Sequence, residues 1–177
     1  MTKAKGANRA MLETRTSRCA CGSVEFEANG APIVSAVCYC QDCQDGGHRI
    51  EALPHAPPVV DPDGGTAYAL YRKDRVRNLK GAALLAGHKL TETSVTNRLV
   101  ATCCNSAMLV NFDNTSMHWV SLYHARFAND APPLQMRIQT KSRPKGTAVP
   151  NDVPVYATFP LSLVAKMVAA RIAMLFR

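Results

Sequence analysis

Polar and apolar residues alternate strictly along Ser23-Val24-Glu25-Phe26-Glu27-Ala28, which predicts a half-buried strand with Asn29-Gly30 as the turn behind it. A second strand-like run, 33–38, delivers Cys38 at its end and then Cys40 and Cys43 in the following turn, so these cysteines are expected at a loop tip. Strand-like runs resume at 66–71, 98–104, 108–112 and 118–123, and residues 134–139 alternate again. Between the second and third runs, Gly46-Gly47, four prolines (Pro54, Pro57, Pro58 and Pro62) and Asp63-Gly64-Gly65 predict irregular chain, long enough to cover a site. Short strands punctuated by Gly, Pro and Asn, without strand-helix alternation, predict an all-β, mainly antiparallel domain.

The last segment has a different period. Residues 160–177 open with Pro160 and carry Leu161, Val164, Ala165, Val168, Ile172 and Leu175 at helical spacing, which predicts one C-terminal α-helix. Leu163, Met167 and Met174 make its other side apolar too. Lys166 and Arg171 interrupt it, so it is not expected to span a membrane. A helix greasy on two sides calls for two partners. The expectation is docking on the sheet plus a homodimer contact, with Lys166 and Arg171 reaching solvent along their apolar stems; a membrane surface is the weaker alternative. The chain divides into a basic N-terminal tail or added edge segment (1–17), a β domain (18–159) and the helix (160–177).

At 47% hydrophobic and 19% charged residues over 177 positions, the chain is an ordinary globular protein, which excludes disordered, collagen-like and coiled-coil classes. Lys and Arg number 21 against 13 Asp and Glu, a net charge of +8. Aromatic residues are only 6%, with Trp119 the one tryptophan, so few rings could stack on bases. The basic run Tyr71-Arg72-Lys73-Asp74-Arg75-Val76-Arg77 contains an acid and reads as a solvated face; nucleic acid is disfavoured as a partner. The basic start, Lys3, Lys5 and Arg9, leads into no apolar run, so a secretory signal is not expected and the reading is cytoplasmic. Neither a glycine-rich phosphate loop nor Gly-x-Ser-x-Gly occurs.

The chemistry lies in seven cysteines: Cys19, Cys21, Cys38, Cys40, Cys43, Cys103 and Cys104. Their odd number and tight spacing suit disulfides poorly and suit zinc thiolates well. The run Cys19-Ala20-Cys21-Gly22, followed by Cys38-Tyr39-Cys40-Gln41-Asp42-Cys43 and later by Cys103-Cys104-Asn105, resembles the glutathione-dependent formaldehyde-activating enzyme family, whose domain is shared with centromere protein V. The resemblance covers about residues 18–112. It implies a tent-like, zinc-bound β fold with two Zn²⁺ sites. Cys19, Cys21, Cys103 and Cys104 would hold the first, and Cys38, Cys40 and Cys43 the second. One departure stands out: the late pair in the family is commonly Cys-x-x-Cys, whereas Cys103 and Cys104 are adjacent. Adjacent residues on an extended strand face opposite ways, so only a sharp bend would let both reach one ion.

Four thiolates close a tetrahedral zinc site, while three leave a position for an incoming thiol. The resemblance therefore implies that Cys38, Cys40 and Cys43 form the catalytic site of a carbon-sulfur lyase-like protein. It would make or cleave thiol-aldehyde adducts such as S-hydroxymethylglutathione from glutathione and formaldehyde. Zinc would keep the glutathione thiol ionised at neutral pH. Arg49, Arg72, Lys73, Arg75 and Arg77 are candidates to offset the negative charge of that site and of glutathione. His48 could be a fourth ligand or proton shuttle, or a solvated loop residue; Asp42 and Asp45 could orient ligands or act as bases, or be surface turn residues. His55, His88, His118 and His124 lack metal spacing and are read as ordinary. The alternative is a non-catalytic, zinc-structured module binding a protein or nucleic acid, with both metals structural.

Overall fold

The structure is a computed structural model and describes residues 13–114 and 116–176. Most of the 1–17 segment lies outside these residues, but Thr14–Arg18 forms an edge strand, β1. The remaining strands are β2 (Glu25–Asn29), β3 (Val34–Cys38), β4 (Thr66–Arg72), β5 (Val76–Lys80), β6 (Leu85–His88), β7 (Thr96–Ala101), β8 (Ser106–Phe112), β9 (Trp119–Tyr123) and β10 (Met136–Ile138). Helix α1 spans Gln41–Glu51 and helix α2 Leu161–Leu175. The fold is mainly antiparallel β with a C-terminal helix, as the pattern predicts.

The strands make two sheets: three strands in the order β1-β2-β5, and seven in the order β10-β3-β4-β9-β8-β7-β6. The pairing of β10 with β3, Ala36 opposite Met136, is parallel; the other sheet pairings among the described strands are antiparallel. The large sheet is a middle layer. Toward the small sheet, Ala69, Tyr71, Val120 and Leu122 pack on Val24, Phe26 and Ala28. On the opposite face, Tyr68, Val100, Val110 and Tyr123 pack with Ile50 of α1 and Leu163 of α2. Burial on both faces explains the unbroken apolar run Ala107-Met108-Leu109-Val110 in β8. The register between β7 and β8 shifts there, between Leu99 and Val100, and Met108 and Leu109 both enter the core shared with the small sheet.

Helix α1 replaces the expected turn and the start of the expected irregular chain. Gly46 and Gly47 suggested a break, yet both are helical positions chosen for close approach. A Cβ on Gly46 would lie 2.1 Å from Arg98 Nε, and one on Gly47 would lie 2.3 Å from Val60 Cγ2. The loop after α1 is tied back by Glu51, whose Oε1 accepts the amides of Val59 and Val60 at 2.7 and 2.8 Å. The Pro54 carbonyl in the same loop accepts from Asn105 Nδ2 at 2.9 Å, which joins the loop to the turn bearing Cys103 and Cys104.

Helix α2 turns Leu163, Met167, Ala170 and Met174 toward the domain. The Leu161, Val164, Val168, Ile172 and Leu175 stripe faces outward, with Leu161 at 87% exposure. His118 Nε2 donates to the Met167 carbonyl at 2.8 Å and Lys166 Nζ to Gln135 Oε1 at 2.6 Å, so the helix is fastened by polar contacts as well as packing. Among the described residues no helix is long and apolar enough to cross a membrane.

Gly81, between β5 and β6, adopts φ +75°, and a Cβ there would sit 2.3 Å from the Ser23 carbonyl oxygen, in the loop that carries Cys21. Gly81→Ala combines left-handed strain with a backbone clash and is expected to cost about 1–3 kcal/mol. A urea midpoint equal to that of the parent chain would refute this.

Candidate metal centres

The first cysteine group joins the two sheets. Cys19 and Cys21 lie in the β1–β2 connection, where Cys19 N donates to the Val24 carbonyl and Gly22 N to the Cys19 carbonyl, both at 3.0 Å. Cys103 and Cys104 lie in the β7–β8 turn, whose bend is completed by Asn105 at φ +52°. That bend lets neighbouring cysteines face one point, so all four ligand atoms lie within 4.8 Å of one another. The Sγ separations are 3.3 Å for Cys21–Cys103, 3.6 Å for Cys19–Cys21, and 3.9 Å for Cys19–Cys103 and Cys103–Cys104. A regular tetrahedron of sulfurs at about 2.3 Å from a zinc ion has edges of about 3.8 Å, so the donor set fits the ion. The Val24 amide donates to Cys19 Sγ at 3.2 Å, and Cys21 Sγ is 3.4 Å from Ser23 Oγ. The contact with the Ser23 hydroxyl and backbone pulls the Cys21 thiol down to about 6. Burial lowers the pKa of Arg126, half-buried nearby, against the opposing pull of Cys104 and Cys19.

The second group is built by one strand end and one helix start. Cys38 is the last residue of β3, Cys40 is the residue preceding α1, and Cys43 is in its first turn. Tyr39 between them is fixed on the other side. Its hydroxyl donates to Asp63 Oδ2 at 2.7 Å and accepts from Arg137 Nη1 at 2.6 Å, and its carbonyl accepts from Gln44 Nε2 at 2.7 Å. With Tyr39 so held, the three sulfurs converge within 4.8 Å. No fourth His, Cys, Asp or Glu joins them among the described residues. Hydrogen bonds from the Cys38 and Cys43 thiols, the Cys43 amide and the Arg98 charge hold the Cys40 thiol well below its ordinary range, whereas the buried Cys38 thiol is pushed far up by its bonds to Cys40 and Cys43.

These sulfurs border a cavity of about 460 Å³. Its walls are Leu70, Val110, Phe112, Trp119 and Ile138 from the large sheet, and Phe159, Leu163, Val164 and Met167 from the C-terminal segment. Arg98 also borders it. This arginine is 3% exposed; Nη2 donates to the Asp42 carbonyl, while Nε and Nη1 have no hydrogen-bond partner among the described residues. The Tyr68 hydroxyl is buried beside Tyr123 and Cys43, and burial raises its pKa well above the ordinary tyrosine range.

With this geometry in view, comparison with known proteins becomes informative. Residues 14–51 match the model of the glutathione-dependent formaldehyde-activating enzyme family. The match takes in Cys19, Cys21, Cys38, Cys40 and Cys43 and ends before Cys103, so the first two cysteine motifs carry the resemblance. A crystal structure of a Rhodobacter sphaeroides protein is 16% identical, covering 79% of this chain and 98% of its own, at a TM-score of 0.47. No curated protein matches the chain.

Other sequence-predicted residues lie apart from the sulfurs. His48 is in the last turn of α1, its side chain 63% exposed and 3.0 Å from Glu51 Oε2, so it is a solvated helix residue. Asp45 accepts from Gln41 at 2.8 Å on the surface, and Asp42 borders the cavity. The basic candidates do not serve the site: Arg49 donates to the Leu90 carbonyl, Arg72 pairs with Asp74 and Arg77 with Glu27, and neither these nor Lys73 and Arg75 border the cavity. Arg98 takes that place, and Tyr68 joins it. Both were read only as strand residues; an arginine at an inward position of an alternating strand is the signal that could have marked Arg98. The long loop after α1 does not cover the cavity, which is instead walled by α2 and Phe159.

Purified protein is expected to carry two thiophilic metal ions per chain, zinc foremost. Cys19→Ser should lose one ion together with soluble yield, since structural thiolate sites supply roughly 10–16 kcal/mol of folding free energy. Cys40→Ser should lose one ion and leave the fold mostly intact. Equal losses of stability in the two variants, read by thermal melts beside metal analysis, would mean that both sites are structural.

Proposed function

We propose that Cys38, Cys40 and Cys43 hold a catalytic zinc ion at which a thiol and an aldehyde are joined or separated, a carbon-sulfur lyase-type reaction with S-hydroxymethylglutathione as the adduct implied by the family. The observation that carries this reading is a set of three converging sulfurs opening on a cavity, beside a second set of four. Zinc on three thiolates supplies a Lewis acid that keeps an incoming thiol ionised at neutral pH.

The chain's own groups account for the rest. Tyr39, held by Asp63 and Arg137, keeps Cys38 and Cys40 on one side of the chain. Arg98 offsets the negative charge of the thiolates, and its free nitrogens together with the Tyr68 hydroxyl are donors for the aldehyde oxygen. In the forward direction the thiol sulfur bonds to the carbonyl carbon, the carbonyl π pair moves to oxygen, and oxygen takes up the proton the thiol released. Tyr68 can deliver that proton and Arg98 stabilises the developing charge. Cleavage runs the same steps backward. The first cysteine group, with four thiolates, is structural. A reducing compartment, the cytoplasm, suits seven free thiols.

Exchange between free and adducted formaldehyde, measured by NMR with glutathione and, separately, with benzyl mercaptan as the thiol, tests this; acceleration with either thiol supports the reading. The zinc-loaded chain should accelerate it, Cys40→Ser should abolish the acceleration, and Tyr68→Phe should reduce it by about a hundredfold. No acceleration by the loaded wild-type chain would leave the non-catalytic binding module as the reading.

The outward stripe of α2 favours a second copy of the chain over a lipid surface. A surface-lying helix needs a basic polar face, whereas α2 carries only Lys166 and Arg171, and Lys166 is turned to Gln135. Sedimentation should show a dimer that Val168→Asp converts to a monomer; a monomeric parent chain would refute it.

A further inference from the structure

The cavity beside Cys38, Cys40 and Cys43 is chemically unlike glutathione. Glutathione brings two carboxylates, an ammonium and two peptide groups, and each must find partners where it is desolvated. The charged residues bordering the cavity are Asp42 and Arg98. Arg98, the one cation among the described lining residues, donates to the Asp42 carbonyl through Nη2, so a single positive charge faces the cysteine thiolates and the substrate alike. The rest of the wall is mainly aromatic and aliphatic, including Phe112, Trp119, Val110, Leu163 and Met167, with Thr96, Ser121 and Tyr68 as its polar members. The rings of Phe112 and Trp119 meet edge to face at 5.3 Å between centroids. A volume of about 460 Å³ lies within the range of small-ligand sites, roughly 300–1,000 Å³, and far exceeds what formaldehyde and a sulfur atom fill.

Resting on the thiol-adduct reading above, we infer that this site takes a neutral thiol bearing an aryl or branched aliphatic group, its sulfur at the cysteine set and its apolar group between Phe112, Trp119 and α2, in place of glutathione. The reaction class and its atom balance are unchanged; the group on the thiol sulfur differs. The specificity lies in the wall. An apolar group releases water from Trp119 and Met167, whereas glutathione's two carboxylates would meet one cation, Arg98, whose charge the thiolates already claim.

Titration calorimetry on the zinc-loaded full chain, with benzyl mercaptan, benzyl alcohol and glutathione as probes, tests the inference. Benzyl mercaptan should bind at least tenfold more tightly than glutathione and than benzyl alcohol. Phe159→Asp, at a half-exposed position of the wall outside the outward stripe of α2, should weaken benzyl mercaptan at least tenfold with the melting temperature kept. Glutathione binding as tightly as benzyl mercaptan would overturn the inference and leave the thiol reading standing. Benzyl alcohol binding as tightly as the thiol would overturn the placement of sulfur at the cysteines. Binding of neither thiol would overturn the inference together with the reading it rests on.

Discussion

Four sulfurs gather at one end of the junction between the two sheets. The small sheet has three short strands that pack on the large one through Val24, Phe26 and Ala28, and the cysteines add a second tie: Cys19 and Cys21 come from its β1–β2 loop, Cys103 and Cys104 from the β7–β8 turn of the large sheet. Four thiols gathered within 4.8 Å repel one another once ionised, so a cation converts the cluster from a destabilising charge into a cross-link between layers. Neighbouring details serve this joint. The Ala20 amide donates to Ser106 Oγ at 3.0 Å across the junction, Asn105 turns left-handed so that adjacent cysteines converge, and Gly81 lets β5 pass against Ser23.

The second group has the same ligand type but a different electrostatic balance. Three thiolates holding a divalent ion would leave one negative charge, and the buried Arg98 would supply one positive charge against it. A buried guanidinium with two unpaired nitrogens is costly by itself, which makes its position beside the sulfurs coherent only when they are ionised. The backbone accommodates it: Gly46 leaves the space over which the guanidinium lies, and the Asp42 carbonyl in the first turn of α1 accepts from it. The glycine that looked like a helix breaker is thus part of the site's construction.

What the sequence revealed follows from where the period of hydrophobicity is the dominant force. Strand β2, half-buried, alternates visibly, whereas β4, whose Tyr68 and Tyr71 face opposite layers, is buried on both faces and reads as a mostly apolar run. Strands β5 and β6 carry few buried residues and leave no such trace: Arg77, Asn78, Leu79 and Lys80 are all exposed. Helix α1 was hidden because its apolar contribution is small, Ile50 being its one buried aliphatic side chain, while its glycines serve tertiary contacts that a local reading does not contain. Cysteine spacing pointed to thiolate–metal chemistry and the resemblance implied the division into two groups, while the Cys103–Cys104 bend depends on Asn105 in a conformation sequence does not announce. Arg98 and Tyr68 depend on three-dimensional proximity to cysteines more than fifty residues away for one and about twenty-five for the other.

The two-sided apolarity of α2 has a structural reason. Leu163 and Met167 face the cavity and the sheet, while the opposite stripe is exposed. This division bears on how far the family resemblance reaches. The matched segment, 14–51, contains Cys38, Cys40, Cys43 and Asp42, the ligand side of the cavity. Val110, Phe112, Trp119, Phe159, Leu163 and Met167, the side that would meet the organic part of a substrate, all lie beyond it. Binding a metal requires only convergence of thiolates, which short motifs can encode. Selecting a substrate requires a wall of matched shape and polarity, which this chain assembles from strands β8 and β9 and the segment leading into α2. The metal chemistry and the substrate are therefore specified by separate parts of the sequence, and a resemblance confined to the first is silent about the second.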